Sequence, residues 1–180
     1  MIFDYLSIIM GIFKIMVYKM IYFNRIKFES IIKINHNFKI STRKKTKIII
    51  GKNFKARNNI NIRNDLNGKL IIGDNVFFND NVSINCQQSI NIGNNVSIGH
   101  NVLILDHDHD YKNNMENFVM ESVSIGNNVW IGANVIILKG SVIPDNTVIA
   151  AGTIVNKRIT KELTKNKLVY DRRNNVIKEV

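Results

Sequence analysis

Two histidines one residue apart, His107 and His109, stand in the acidic, polar stretch LDHDHDYKNNMENFVMESVS that begins at Leu105. An imidazole can take a proton from a hydroxyl near neutral pH when a neighbour fixes its tautomer and orientation. Asp106, Asp108, Asp110 or a backbone carbonyl of the same stretch is close enough in sequence to do that. A single loop histidine is by default a solvated side chain, so the pair gains meaning only from what holds it. Cys86 is the sole cysteine, which gives neither a disulfide framework nor a CxxC metal site, and its default reading is a small buried hydrophobe in a reducing compartment.

The elements that must position these residues are repeats. Residues 89–105, SINIGNNVSIGHNVLIL, recur at 122–138 as SVSIGNNVWIGANVIIL, with twelve of seventeen positions identical. Inside the repeat the period is six: an aliphatic residue, then Gly or Asn, with Val usually at the fifth place. The register runs through Ile72, Phe78 and Ile84, through Ile92, Ile98 and Ile104, and from Ile125 to Val155, with Ile50, Ala56 and Ile62 as earlier, degenerate members. A helix needs apolar residues at steps of three and four, so this pattern predicts short strands. Gly73-Asp74-Asn75, Gly93-Asn94-Asn95, Gly126-Asn127-Asn128 and Asp145-Asn146 supply the tight corners, because Gly and Asn enter left-handed backbone conformations at least cost. The expected fold is an all-β parallel solenoid with Ile and Val columns inside and each coil covering the edge of the last. From Ile104 to Ile125 is twenty-one residues, not a multiple of six, so the histidine stretch must leave the wall as a loop, where catalytic groups are commonly carried.

At this point residues 70–157 resemble the hexapeptide-repeat acyltransferases, and IGDNVFFNDN, NVWIGANVIIL and IPDNTVIAAGTIVNK look like the maltose, galactoside, nodulation and surface-polysaccharide O-acetyltransferase branch. The resemblance implies a left-handed winding of three hexapeptides per coil, where the general preference of parallel crossovers would favour the right-handed sense. It implies acetyl-CoA as co-substrate, no bound cofactor and no metal, and a homotrimer with each site between adjacent solenoids. It makes His109 the general base and the Ala133 N–H the donor to the tetrahedral oxyanion. His107, at a place where the family tolerates many residues, joins Asn79, Gln87 and Trp130 in the acceptor-binding set. Gln87 stands where sugar-modifying relatives carry Asp, and Trp130 breaks the repeat against Ser97, as a wall for the acceptor or the pantetheine arm. Gly132, Ala133, Ala150 and Ala151 offer small stacked corners for pantetheine, and ordinary corner packing would also explain them. Asn156 and Lys157, with Arg172, Arg173 and Lys178, are candidates for the nucleotide phosphates or form a solvated basic tail. The tail lacks the expected Gly-x-Pro-Ala turn, although Val176-Ile177 fit the aliphatic pair after it. Some hexapeptide solenoids are zinc hydratases, but the spacing of His100, His107 and His109 does not match that branch.

The net charge of +11 is uneven. Residues 24–63 carry twelve Lys or Arg against Glu29 alone, residues 64–156 three basic and nine acidic, and 157–180 eight basic and three acidic. The basic block follows MIFDYLSIIMGIFKIMVYKMIYF, which as a helix places Asp4, Ser7, Gly11, Lys14 and Tyr18 on one stripe and leaves the rest apolar. Lys14 and Lys19 argue against a spanning helix, and the start does not fit a cleaved signal peptide. Two uses remain open: a helix lying in a membrane interface beside a basic neck, or a cap on the open end of the solenoid. No stacking platform or recognition helix accompanies the basic block, so nucleic acid is not an expected partner.

Together these features divide the chain into an amphipathic helix (1–23), a basic neck with degenerate first coils (24–66), a β-helix domain (67–156) carrying loop 106–122, and a basic tail (157–180). The function expected is acetyl-CoA-dependent O-acetylation of a sugar hydroxyl on a capsule, O-antigen or other surface glycan precursor. It would take place in the cytoplasm, at or near the inner face of the membrane. An amino-sugar N-acetyltransferase and a non-catalytic hexapeptide subunit are the alternatives.

Overall fold

The computed structural model describes residues 2–43, 45–162, 168–171 and 176–179. The chain winds through six coils of three short strands, and the strands stack in coil order into three parallel sheets that form the faces of a left-handed solenoid. The first coil is Ile26–Phe28, Lys33–Ile34 and Phe38–Thr42, and the last is Val142–Ile143, Val148–Ile149 and Ile154–Val155. Winding therefore starts at Ile26, and the basic stretch is solenoid wall, with Ile50, Ala56 and Ile62 buried in full register.

Inward side chains form continuous columns. Ile50, Ile72, Ile92, Ile125 and Ile143 line one face and Ala56, Phe78, Ile98, Ile131 and Ile149 the next, all buried. Phe38, Phe54 and Phe78 meet edge to face, with ring centroids 6.1 and 5.0 Å apart. In the last coil Ser141, Thr147 and Thr153 replace the Val column. Each buried hydroxyl donates to a carbonyl three residues back, Leu138, Pro144 and Ala150, at 2.6 to 2.8 Å, so no polar atom is stranded by the change.

Two of the three corners are asparagine ladders. Asn53, Asn75, Asn95, Asn128 and Asn146 all have φ between 55 and 58°, the left-handed region that Asn tolerates best after Gly. Each side-chain amide donates to the next coil's Asn at 3.0 to 3.1 Å. Asn37, Asn59, Asn81, Asn101 and Asn134 repeat this at the second corner. The ladders also measure the coils: successive rungs are 22, 20, 33 and 18 residues apart. Only the last spacing is three plain hexapeptides, and the surplus of every longer coil falls at the third corner, as in the step from Ile62 to Ile72.

Helix α1 (Ile2–Ile21) closes the open end. Of the stripe that looked polar in sequence, Gly11 and Tyr18 are buried. Gly11 lies so close to the first coil that a β-carbon would come 1.8 Å from the Ile32 carbonyl oxygen. The Tyr18 hydroxyl donates to the Phe38 carbonyl at 3.2 Å and accepts from the Ile40 N–H at 3.0 Å, while Met10, Ile15 and Tyr22 pack on the core. At the other end, helix α2 (Lys157–Glu162) is followed by strand Leu168–Asp171, which pairs onto the last strand of the second face, and by Val176–Glu179, which pairs antiparallel with it.

Candidate active site at the third corner

The histidine stretch is a β-hairpin that leaves the third corner between the fourth and fifth coils, with strands His107–Asp110 and Asn114–Met120. Its root is Asp106, fully buried. One carboxylate oxygen accepts the Gln88 and Ser89 N–H groups at 2.8 Å each, and the other accepts the Gln87 N–H at 2.9 Å. A carboxylate holding three backbone donors fastens the hairpin to the previous coil's corner. The same oxygen that meets Gln87 also meets His107 Nδ1 at 3.0 Å, so His107 carries its proton on Nδ1 and leaves Nε2 as its acceptor.

His109 is held differently. Its Nδ1 lies 2.6 Å from the Met115 carbonyl on the opposite hairpin strand. A carbonyl can only accept, so Nδ1 is protonated and Nε2 presents a basic lone pair. Phe118 fixes both rings, edge-on to His107 at 5.3 Å and tilted over His109 at 4.7 Å between centroids. Farther out, Lys139 pairs with Asp108, and Lys157 with Glu121 at 2.5 Å, tying the hairpin to the coils that follow.

His107, His109 and Phe118 line a cleft of about 220 Å³ whose other walls are Arg63, Asp65, Asn85, Cys86 and Gln87 from the second and third coils. Arg63 and Arg43 both pair with Asp65, at 3.3 and 3.2 Å. Burial, and then the neighbouring Asp106 charge, push the Cys86 thiol well above its ordinary range, so it is protonated and has no nucleophilic character. Gln87 lines the cleft, and its side-chain oxygen is buried without a hydrogen-bond partner among the described residues.

A single solenoid thus brings together His107, His109 and Gln87, leaves Asn79, Trp130, Gly132, Ala133, Ala150 and Ala151 on the second face and second corner, and places Asn156 and Lys157 after the last strand of the third face. Trp130 is 59% exposed and lies in register between Ser97 and Val148, beside an open depression lined by Asn95, Ser97 and Asn128. Asn79 accepts from Arg57 at 3.4 Å and lies 3.5 Å from His100 Nε2. Its neighbour Asp80 is held below its ordinary carboxylate range chiefly by the Asn58 N–H. Gly132 faces the Ala151 backbone so closely that a β-carbon would come 2.6 Å from the Ala151 nitrogen, and the Ala133 carbonyl accepts the Gly152 N–H at 2.8 Å. Ala150, whose carbonyl takes the Thr153 hydroxyl, lies on the same corner. Asn156 caps α2, its side-chain oxygen accepting the Arg158 and Ile159 N–H groups at 3.0 and 3.1 Å. Arg172 and Arg173 lie outside the described residues. Among the described residues no three His, Cys, Asp or Glu side chains are placed to hold a metal, and His100 sits at a different corner from His107 and His109.

The sequence pattern did not single out Phe118, the Met115 carbonyl, Arg63 or Asp65. Phe118 had only a weak signal, as one of two aromatics in the hairpin with Tyr111. The Met115 contact depends on the hairpin register, which no local pattern encodes.

The fold and these corners define a hexapeptide-repeat β-solenoid with an imidazole-lined cleft. The comparisons agree. Residues 122–157 match the family described as bacterial transferase hexapeptide (six repeats), and residues 69–105 match the hexapeptide repeat of succinyl-transferase. Both matched stretches are hexapeptide repeats and fall on coils of the solenoid. Its fold is similar to that of a hexapeptide-repeat-containing acetyltransferase from Vibrio cholerae O1 biovar eltor, solved in complex with acetyl coenzyme A, with TM-score 0.56 and 22% identity over 78% of this chain and 70% of that one. A maltose O-acetyltransferase from Clostridium difficile 630 superposes with TM-score 0.49 and 28% identity over 84% of this chain and 69% of that one. No curated protein matches the chain in sequence.

Proposed function

We propose that the protein is an acetyl-CoA-dependent O-acetyltransferase acting on a sugar hydroxyl of a surface glycan precursor, with His109 as general base. The observation that carries this reading is the Met115 carbonyl on His109 Nδ1, which leaves Nε2 basic at the wall of a polar cleft. In the reaction, Nε2 takes the acceptor hydroxyl proton as the oxygen attacks the thioester carbonyl. The Ala133 N–H, which has no acceptor among the described residues, would stabilise the tetrahedral oxyanion. Collapse expels the coenzyme A thiolate, which takes the proton back from His109.

His109 and Ala133 lie on different corners of one solenoid, so the reading requires a second copy, and the homotrimer is the assembly proposed. Trp130, Gly132, Ala150 and Ala151 would then wall the pantetheine arm, Asn79, Gln87 and His107 would meet the acceptor, and Asn156 and Lys157 would lie towards the nucleotide end. The proposed location is the cytoplasm, where acetyl-CoA and glycan precursors meet.

The test is transfer of labelled acetyl from acetyl-CoA to the producing cell's glycan precursors, followed by mild alkali. Alkali-labile label that falls by a factor of about 10² or more in His109→Ala supports the reading. Alkali-stable label means amide formation and an amino-sugar acceptor. Absent transfer, or equal transfer in the mutant, overturns it. His107→Ala belongs in the same experiment, because His107 also presents Nε2 to the cleft, backed by a buried carboxylate. Complete loss there with activity kept in His109→Ala would exchange their roles.

A further inference from the structure

From Tyr5 to just beyond its end, α1 carries an outward stripe of apolar side chains. Tyr5, Ile9, Phe13, Met16, Met20 and Phe23 follow one another at steps of three and four and are each 61 to 78% exposed, at the tip of the solenoid rather than in a groove. Buried Gly11 and Tyr18 account for the opposite face, so the outward stripe does nothing for the cap.

Around this stripe the first coil and the start of the second expose Lys27, Lys33, Lys39, Arg43, Lys45 and Lys47, spread over all three faces. Glu29 is the only acidic residue between 24 and 63, and it is paired with Lys27 at 2.8 Å. Residues 64–156 reverse the balance to three basic and nine acidic and 157–180 carry eight against three, so the largest positive surplus, twelve against one, is at the capped end. An apolar patch rimmed by cations matches an anionic lipid surface, whose acyl boundary accepts the stripe and whose phosphates meet the rim. Two copies packed cap to cap would press like-charged rims together, and a polyanion such as RNA would leave the apolar centre unused. No helix among the described residues is long and apolar enough to cross a membrane, so α1 would lie in the plane of the surface.

We propose that the capped end of the solenoid docks face-on onto an anionic bilayer, with α1 entering the headgroup boundary and the first-coil lysines on the lipid phosphates. The orientation leaves the hairpin cleft on the side wall, open to the aqueous phase.

The test is sedimentation of the full chain with vesicles of phosphatidylcholine alone and of an about 7:3 mixture with phosphatidylglycerol. The protein should pellet with the mixture, not with phosphatidylcholine alone, and high salt should release most of it. Ile9→Gln, Phe13→Gln and Met16→Gln combined should weaken binding by about tenfold or more without changing melting temperature or mass, because these positions are exposed. Lys33→Gln with Lys39→Gln should weaken it by roughly fivefold per charge. Failure to pellet with the mixture, or unchanged binding by the apolar variant, overturns the proposal. A drop in oligomer mass for that variant would instead give the stripe to subunit contacts and would also overturn it. Docking stands apart from acyl transfer: His109→Ala should bind vesicles as the wild type does, so either reading can fail alone.

Discussion

Replacing Asp106 by Asn keeps the shape of the hairpin root and removes its charge. The new side chain does best by keeping its oxygen where the Gln88 and Ser89 N–H groups converge, each at 2.8 Å, which turns its NH₂ towards the Gln87 N–H and His107. Two retained bonds drop from charge-assisted to neutral strength, about 1 kcal/mol each, and one N–H left facing another donor costs about 1–3 kcal/mol. Relief from desolvating a carboxylate offsets part of this, leaving a net loss of about 2–4 kcal/mol. For a chain of this size that lowers the melting temperature by about 5–15 °C. Asp106→Ala, which strands all three donors, should fall further. Differential scanning calorimetry measures both. An Asn variant melting within about 2 °C of wild type would refute the reasoning, because one stranded N–H and two weakened bonds cannot come that cheaply. An Asn variant more stable than wild type would mean that carboxylate desolvation outweighs its bonds.

At the cap, Gly11→Ala should destabilise by about 1–3 kcal/mol or more, because the new methyl meets the Ile32 carbonyl at 1.8 Å and α1 must lift off; urea unfolding checks this, and a neutral result would show that the helix is not seated there. Tyr18→Phe removes a donor to Phe38 and an acceptor for Ile40, about 1–3 kcal/mol. Burial is the main cause raising the Tyr18 phenol above its ordinary value near 10, partly opposed by the Ile40 N–H. The neutral phenol's contribution is therefore complete below that ordinary value and is lost as pH rises through the raised one. Alkaline unfolding followed by circular dichroism should show this extra sensitivity in wild type and not in the Phe variant.

How much of this was legible in the residues depends on how each feature is encoded. Strands and corners were legible because one hexapeptide carries both its inward aliphatic and its left-handed Asn, so Ile92 to Val102 reads correctly without any long-range information. The first two coils were blurred because their surplus residues interrupt the six-residue count between Ile40 and Ile50 and between Ile62 and Ile72. The stripe on α1 was visible, but its use was not. Gly11 and Tyr18 share a stripe with Asp4, Ser7 and Lys14, and what buries them is set only when the solenoid end supplies a carbonyl to approach and two backbone groups to satisfy. At the cleft, His107 and His109 were legible from type and spacing. What distinguishes them, a buried carboxylate for one and the Met115 carbonyl for the other, arises from hairpin register.

The position of the hairpin follows from the same accounting of coil lengths. Two corners are locked by Asn ladders that run unbroken through coils of every length, so an insertion there would sever a column of hydrogen bonds. Among the described residues the third corner has no such ladder: it already carries extra residues at 65–68 and 87–88, and the Asn64 side-chain oxygen there is buried without a partner. A growing loop is tolerated at that corner because the strands before and after it keep register, Ile90 against Val123 and Leu103 against Ile136. What the corner then lacks is a fastening. Asp106 provides it by gathering the N–H groups of Gln87, Gln88 and Ser89, the donors that the previous coil's surplus leaves available. The cleft therefore forms where the repeat is weakest, and a buried carboxylate at the hairpin root and the Met115 carbonyl across the hairpin, rather than the repeat, hold its imidazoles in place.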